Sequence, residues 1–80
     1  MVLGKSYAVK FLGRSGIIYS EDKRNLSLFS EMLVDDEYDL AIYLSQASQW
    51  EDGTTVSDED RARIKANLTQ ELQPSRIDWC

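Results

Sequence analysis

Apolar positions along this chain follow a two-residue period at first and a four-residue period later. Over residues 6–12, Tyr7, Val9 and Phe11 fall on one side and Ala8, Lys10 and Leu12 on the other, which predicts a strand. Gly13-Arg14-Ser15-Gly16 interrupts the pattern with a short glycine-flanked connection suited to a hairpin. Residues 16–20 hold Ile17, Ile18 and Tyr19, side chains that favour a pleated surface. A polar turn, Glu21-Asp22-Lys23-Arg24-Asn25, separates them from a third apolar segment at residues 26–29. Local connections of this kind predict an antiparallel meander.

The next stretch leaves two alternatives open. Glu31-Met32-Leu33-Val34 either extends the third strand or turns, and Asp35-Asp36-Glu37 is expected in solvent, because adjacent unpaired carboxylates are too costly to bury. Alternation returns over residues 39–44, with Leu40, Ile42 and Leu44 opposed to Ala41 and Tyr43, and predicts a fourth strand. Residues 45–55 are polar and read as loop around Trp50.

Ser57 then supplies a helix cap, with Asp58, Glu59 and Asp60 in the first turn, where carboxylates offset the partial positive charge of the helix start. Ser57 with Asp60 has the spacing of a capping box. Ile64, Leu68 and Leu72 form a narrow apolar stripe flanked by Ala62 and Ala66, and Pro74 ends the helix near Gln73. A last short strand is expected within residues 75–80, with Ile77 and Trp79 on one face. The predicted fold is a single α+β domain over residues 1–80, in the order β-β-β-β-α-β: a mainly antiparallel sheet with one helix packed on one face.

Composition narrows the function classes. With 80 residues, 42% apolar and 29% charged, the chain has the make-up of an ordinary globular domain with a modest core. No apolar run reaches the roughly 18 residues that a membrane span requires, and residues 1–5 lack the apolar stretch of a signal peptide, so the expected location is cytoplasmic. Cys80 is the one cysteine, which excludes an internal disulfide. The absence of histidine removes the commonest general base, the usual nucleophilic triads and most zinc sites. No catalytic residue, cofactor or metal ligand is therefore assigned.

Short motifs dissolve on inspection. Gly4-Lys5-Ser6 lacks the upstream glycine and strand of a phosphate-binding loop, and Gly13-x-x-Gly16 lies between strands where an RNA-clamping loop joins helices. Asp35-Asp36-Glu37-x-Asp39 lacks the spaced oxygen ligands and central glycine of a calcium loop. The few bases are scattered and the net charge is −5, against nucleic-acid binding.

The distribution of charge is more informative than its sum. Residues 31–60 carry ten Asp/Glu and no Lys or Arg. Asp58, Glu59 and Asp60 are explained by the helix start. Glu31, Asp35, Asp36, Glu37, Asp39, Glu51 and Asp52 are not, and they repel one another. Such a surface either solubilises the chain or complements a basic partner, in which case it speeds encounter and excludes wrong partners. Trp50, beside Glu51 and Asp52, is either an interface anchor or a closure for the core edge. These eight residues are the candidate partner-binding set.

Taken in order, Ser30-Glu31-Met32-Leu33, Ala41-Ile42-Tyr43, Trp50-Glu51-Asp52-Gly53, and Ser57-Asp58-Glu59-Asp60 with Arg63-Ile64 and Asn67 resemble a family of small immunity proteins of bacterial polymorphic toxin systems, over residues 7–79. The acidic link Asp35-Asp36-Glu37 and the short segment around Pro74 depart from the family pattern. The resemblance implies an α+β protein of the cytoplasm that binds and neutralises a cognate toxin and has no catalytic residues. If that toxin is a nuclease, an acidic protein suits its basic phosphate-binding site. Two other classes compete: a structural or regulatory module that self-associates through an open sheet edge, and a small metal-dependent hydrolase built on paired carboxylates, which requires several acids to converge in a pocket.

Overall fold

In the computed structural model, which describes residues 7–13 and 15–80, the chain opens as a meander. Strands β1 (Tyr7–Phe11), β2 (Gly16–Glu21) and β3 (Arg24–Met32) are followed by β4 (Leu40–Ile42), helix α1 (Asp58–Glu71) and β5 (Ile77–Trp79). The sheet order is β1-β2-β3-β4-β5, antiparallel through the first three pairings and parallel between β4 and β5. A parallel pair needs a crossover, and α1 is its helical part. The α+β order predicted from the sequence is the order observed. The Gly4-Lys5-Ser6 motif, the first residue of the expected first strand and Arg14 lie outside the described residues.

The β2–β3 turn is tighter than its polar composition suggested. Only Asp22 and Lys23 turn the chain, both at positive φ (47° and 63°), while Glu21 and Arg24 face each other as the last ladder pair. That is the two-residue form whose twist matches the flanking strands. The open alternative at residues 31–34 resolves as an extension of β3 to Met32. The fourth strand is shorter than expected. After Ile42 the chain bends at Tyr43 into one turn of 3-10 helix, Leu44–Gln46, and Ser45 donates its amide to the Cys80 carbonyl.

One face of the sheet is covered by α1 and the 3-10 and Trp50 loops. Its core comprises Ile17 and Tyr19 from β2, Leu26 and Leu28 from β3, Leu40 and Ile42 from β4, and Ile64 and Leu68 from α1, with Leu44, Trp50 and Val56 closing one side. Each strand contributes alternate residues, as the pleat requires. Ala41, on the other side of β4, is also buried, in register between Glu31 and Asp78.

Helix α1 begins as expected. The Ser57 hydroxyl accepts from the Asp60 amide, and the Asp60 carboxylate accepts from the Ser57 amide, both at 3.0 Å. Its buried face differs from the expected one. Ala62 and Ala66 point to solvent, and the flank of the Ile64–Leu68 stripe is instead a polar row of Asp60, Arg63 and Asn67. Spacings of three and four residues place that row on one side of the helix.

Candidate functional site

The most strongly perturbed ionisable groups lie beneath α1. Glu21, at the end of β2, is 7% exposed. Its carboxylate accepts from Arg63 Nε at 3.1 Å and Nη2 at 2.7 Å, and from the Tyr19 hydroxyl at 2.7 Å. Asn67 Nδ2 donates to the Tyr19 oxygen at 2.8 Å, and Arg63 Nη2 also donates to Asp60 at 2.7 Å. Trp50 Nε1 donates to the other Asp60 oxygen at 3.3 Å, and the Arg24 guanidinium lies 4.0 Å from the centre of the Trp50 ring. Helix, β2–β3 hairpin and Trp50 loop are thus joined through one charged network.

Its titration follows from these contacts. Burial pushes the Tyr19 hydroxyl up to about 12, and the Glu21 charge adds to the push against the bond from Asn67. Burial works against ionised Glu21, but hydrogen bonds from Arg63 and Tyr19 and the nearby guanidinium charges outweigh it and hold the carboxyl below its usual range. The Ser57 amide, followed by Arg63, holds the Asp60 carboxyl far below the usual range. Arg63 is raised by its bonds to Glu21 and Asp60. Tyr19, Glu21, Asp60 and Arg63 are thus each shifted toward the charge state they already have at neutral pH. None is poised to exchange a proton there, as a general acid or base would be.

The eight residues expected to bind a partner do not form one surface. Of the two readings of Trp50 the structure takes closure of the core edge: it is 2% exposed, stacked against Arg24 and close to Tyr19, so its place in the partner-binding set is corrected. Asp39 is not without a compensating base, because Arg76, beyond the acidic block, donates its backbone amide to it at 2.8 Å and pairs with it at 3.3 Å. Those bonds hold the Asp39 carboxyl below its usual range. Asp52 accepts the Thr54 amide at 2.9 Å in the turn made by Gly53 at φ 91°. Asp35, Asp36 and Glu37 occupy the exposed β3–β4 connection, where Asp35 accepts the Glu37 amide. Among the described residues, no group of three or more acids or cysteines is arranged to hold a metal ion, and no helix is long and apolar enough to cross a membrane.

Glu31 and Glu51 both lie on the other side of the sheet, which no described element covers. Leu26, Leu28 and Ser30 point inward along β3, so Ser27, Phe29 and Glu31 point outward. The Ser27 hydroxyl donates to Glu51 at 3.4 Å, and the Tyr43 hydroxyl donates to Glu31 at 3.0 Å. Phe29 stands between these two carboxylates and is 68% exposed. Gly16 is its partner in the ladder, and the missing side chain there leaves a cleft between Phe29 and Leu12, itself half exposed. A second hollow on the far side of Phe29 is lined by Tyr43, Glu31 and Gln46. The hydrogen bond from Tyr43 to Glu31, and the Glu31 charge after it, raise the tyrosine above its usual value.

Sequence reasoning missed Phe29 and Leu12 as surface residues. A signal was present: counted in twos from Leu26, the inward residue is Ser30 and the outward one is Phe29. Compared with protein families, curated proteins and solved structures, the chain matches none.

Proposed function

We propose that this chain acts by binding a protein rather than by catalysis, as an immunity protein that neutralises a basic toxin. The observation that carries the reading is the state of the acidic block. Glu31, Asp35, Asp36, Glu37, Glu51 and Asp52 all face solvent, and none forms an ion pair with a described residue. Arg24, Arg61 and Arg63 are committed to Glu21, Asp58 and Asp60, outside this set. The uncompensated field on the surface is therefore negative, and it attracts and orients a positively charged protein. A nuclease whose substrate site binds phosphates presents such a surface, and an acidic protein seated on it excludes the nucleic acid.

Co-expression with the product of the adjacent reading frame tests this. Growth restored by the chain is the expected result. Killing that proceeds unchanged in its presence rejects the toxin-neutralising reading. A second reading, self-association, is favoured by β1, an edge strand whose Phe11 is 42% exposed. Sedimentation decides it: a species that stays monomeric as concentration rises removes it.

A further inference from the structure

We propose that the uncovered sheet face centred on Phe29 is the contact surface, and that its partner is a basic protein surface presenting an apolar side chain between lysines or arginines. This rests on the protein-binding reading above and adds where the contact lies and what it recognises. Three independent observations converge there. The first is exposure: Phe29 is 68% and Leu12 50% exposed, on the same face as Tyr43. A large aromatic ring held in water on a rigid strand is the kind of group that anchors an interface.

The second is shape. Gly16, the ladder partner of Phe29, leaves a cleft beside the ring, with Leu12 as its opposite wall. A Cβ built on Gly16 would touch the Leu12 Cβ at 3.4 Å, so a side chain there would enter the cleft. With the hollow toward Tyr43 on its other side, Phe29 forms a ridge between two concave strips.

The third is charge. Alternate residues of one strand repeat at about 6.6–6.8 Å, so Glu31 lies one repeat from Phe29 along β3, and Glu51 is bonded to Ser27 one repeat the other way. Asp78 lies in register beyond Glu31 and Ala41 and adds to the same sign. Lys10, in the row of Ile18 and Ser27, is a cation on this face, and Arg76, before Ile77, is spent on Asp39. The pattern is apolar in the centre and acidic on both sides. Its complement is apolar in the centre and basic on both sides.

The charge pattern also chooses among occupants. A second copy seated face to face would set Glu31, Glu51 and Asp78 against their own kind, in a chain of net charge −5. Like charges opposed across an interface are repelled. A basic partner meets no such opposition.

The test uses the full chain and an immobilised peptide array. Each peptide carries a central Phe or Leu with Lys or Arg two positions to either side, and a control set carries Glu in the flanking positions. The expected result is retention of the basic set and not the acidic set, weakened about tenfold or more by Phe29→Ala. The pair Glu31→Gln, Glu51→Gln weakens binding and flattens its salt dependence more, per charge removed, than Asp35→Asn, Asp36→Asn, Glu37→Gln, whose carboxylates lie on the β3–β4 connection and act only through the long-range field. Equal retention of both sets, no retention of either, or full binding by Phe29→Ala in a chain that unfolds at the wild-type urea concentration overturns the proposal. So does a dimer in sedimentation that Phe29→Ala dissolves, which makes a second copy the occupant. The toxin reading is separated by co-expression. Rescue that persists in Phe29→Ala keeps that reading and removes this surface. Phe29-dependent retention of basic peptides without rescue keeps the surface and removes the toxin.

Discussion

Replacing Arg63 by methionine isolates the network beneath α1. Methionine keeps most of the apolar stem but removes the guanidinium that bonds Glu21 through two nitrogens and Asp60 through one. Glu21 then remains 7% exposed with a charge its surroundings do not balance. Removing one partner of a fully buried pair costs about 3–5 kcal/mol. Here the Arg63 side chain is 43% exposed, so water screens part of the interaction, and Glu21 keeps the Tyr19 hydroxyl and Arg24 at 3.6 Å. About half of the buried-pair figure, roughly 2 kcal/mol, is the expected loss. In a domain of this size it corresponds to a fall of about 8–16 °C in Tm. Urea unfolding at pH 7, followed by tryptophan fluorescence and far-UV circular dichroism, measures it. The companion variant Glu21→Gln removes the charge from the other side. The double variant should be more stable than the sum of the two single losses implies, by about 1 kcal/mol or more, because it leaves no buried charge at position 21, while the loss at Asp60 is common to it and to Arg63→Met. A coupling near zero would falsify the claim that these two groups stabilise the fold through each other.

The same network fixes the response to pH. Glu21 and Asp60 are both depressed on folding, so their contribution is present above the ordinary carboxylate range and lost on acidification; stability should be flat from pH 7 to about 5 and fall progressively below, with the fall diminished in Glu21→Gln. Tyr19 is raised from about 10 to about 12, so its contribution is present below pH 10 and lost as pH rises through 12, up to about 2–3 kcal/mol; ultraviolet titration should show one tyrosine ionising only as the chain unfolds. Lys23 at φ 63° occupies a turn position that favours glycine, and Lys23→Gly should stabilise by about 0.5–1 kcal/mol in the same urea assay; a loss would contradict the turn assignment. Trp50→Ala should cost about 3–5 kcal/mol and bring the domain near unfolding, while Phe29→Ala should move stability by no more than about 1 kcal/mol, a contrast that follows from 2% against 68% exposure.

How much of this was legible beforehand depends on how local the cause was. The capping box needs only Ser57 and Asp60, three residues apart, and was read correctly. The three meander strands and the short last strand follow from alternation and glycine positions, and were also legible. The network under α1 was not. Asp60, Arg63 and Asn67 share a helix face, but Glu21, the partner of Arg63, is 42 residues from it and read as part of a polar turn. Only the two-residue turn at Asp22-Lys23 brings Glu21 into the ladder, under the helix. Trp50 failed as a surface anchor for a related reason. Its neighbours Glu51 and Asp52 face solvent, but Arg24 and Asp60 draw the indole inward from elsewhere in the chain. Arg76 likewise reaches back to Asp39 across 37 residues and neutralises one member of a block that looked unbroken.

These placements change what the family-like pattern means. Trp50, Ser57, Asp60, Arg63 and Asn67 carried much of the resemblance, and all five belong to the helix cap or the network that joins α1 to the hairpin. They specify how the helix sits on the sheet. Residues that specify a partner have to lie where they can change without disturbing that packing, and the pleat of β3 provides such a separation. Leu26, Leu28 and Ser30 build the interior from one side of the strand, and Ser27, Phe29 and Glu31 face outward from the other. A substitution at 29 or 31 alters the exposed ridge and its charge while leaving the inward row in place. The fold and the proposed contact surface are thereby carried by alternate residues of the same strand, so a pattern that follows the inward row says little about what the outward row would contact.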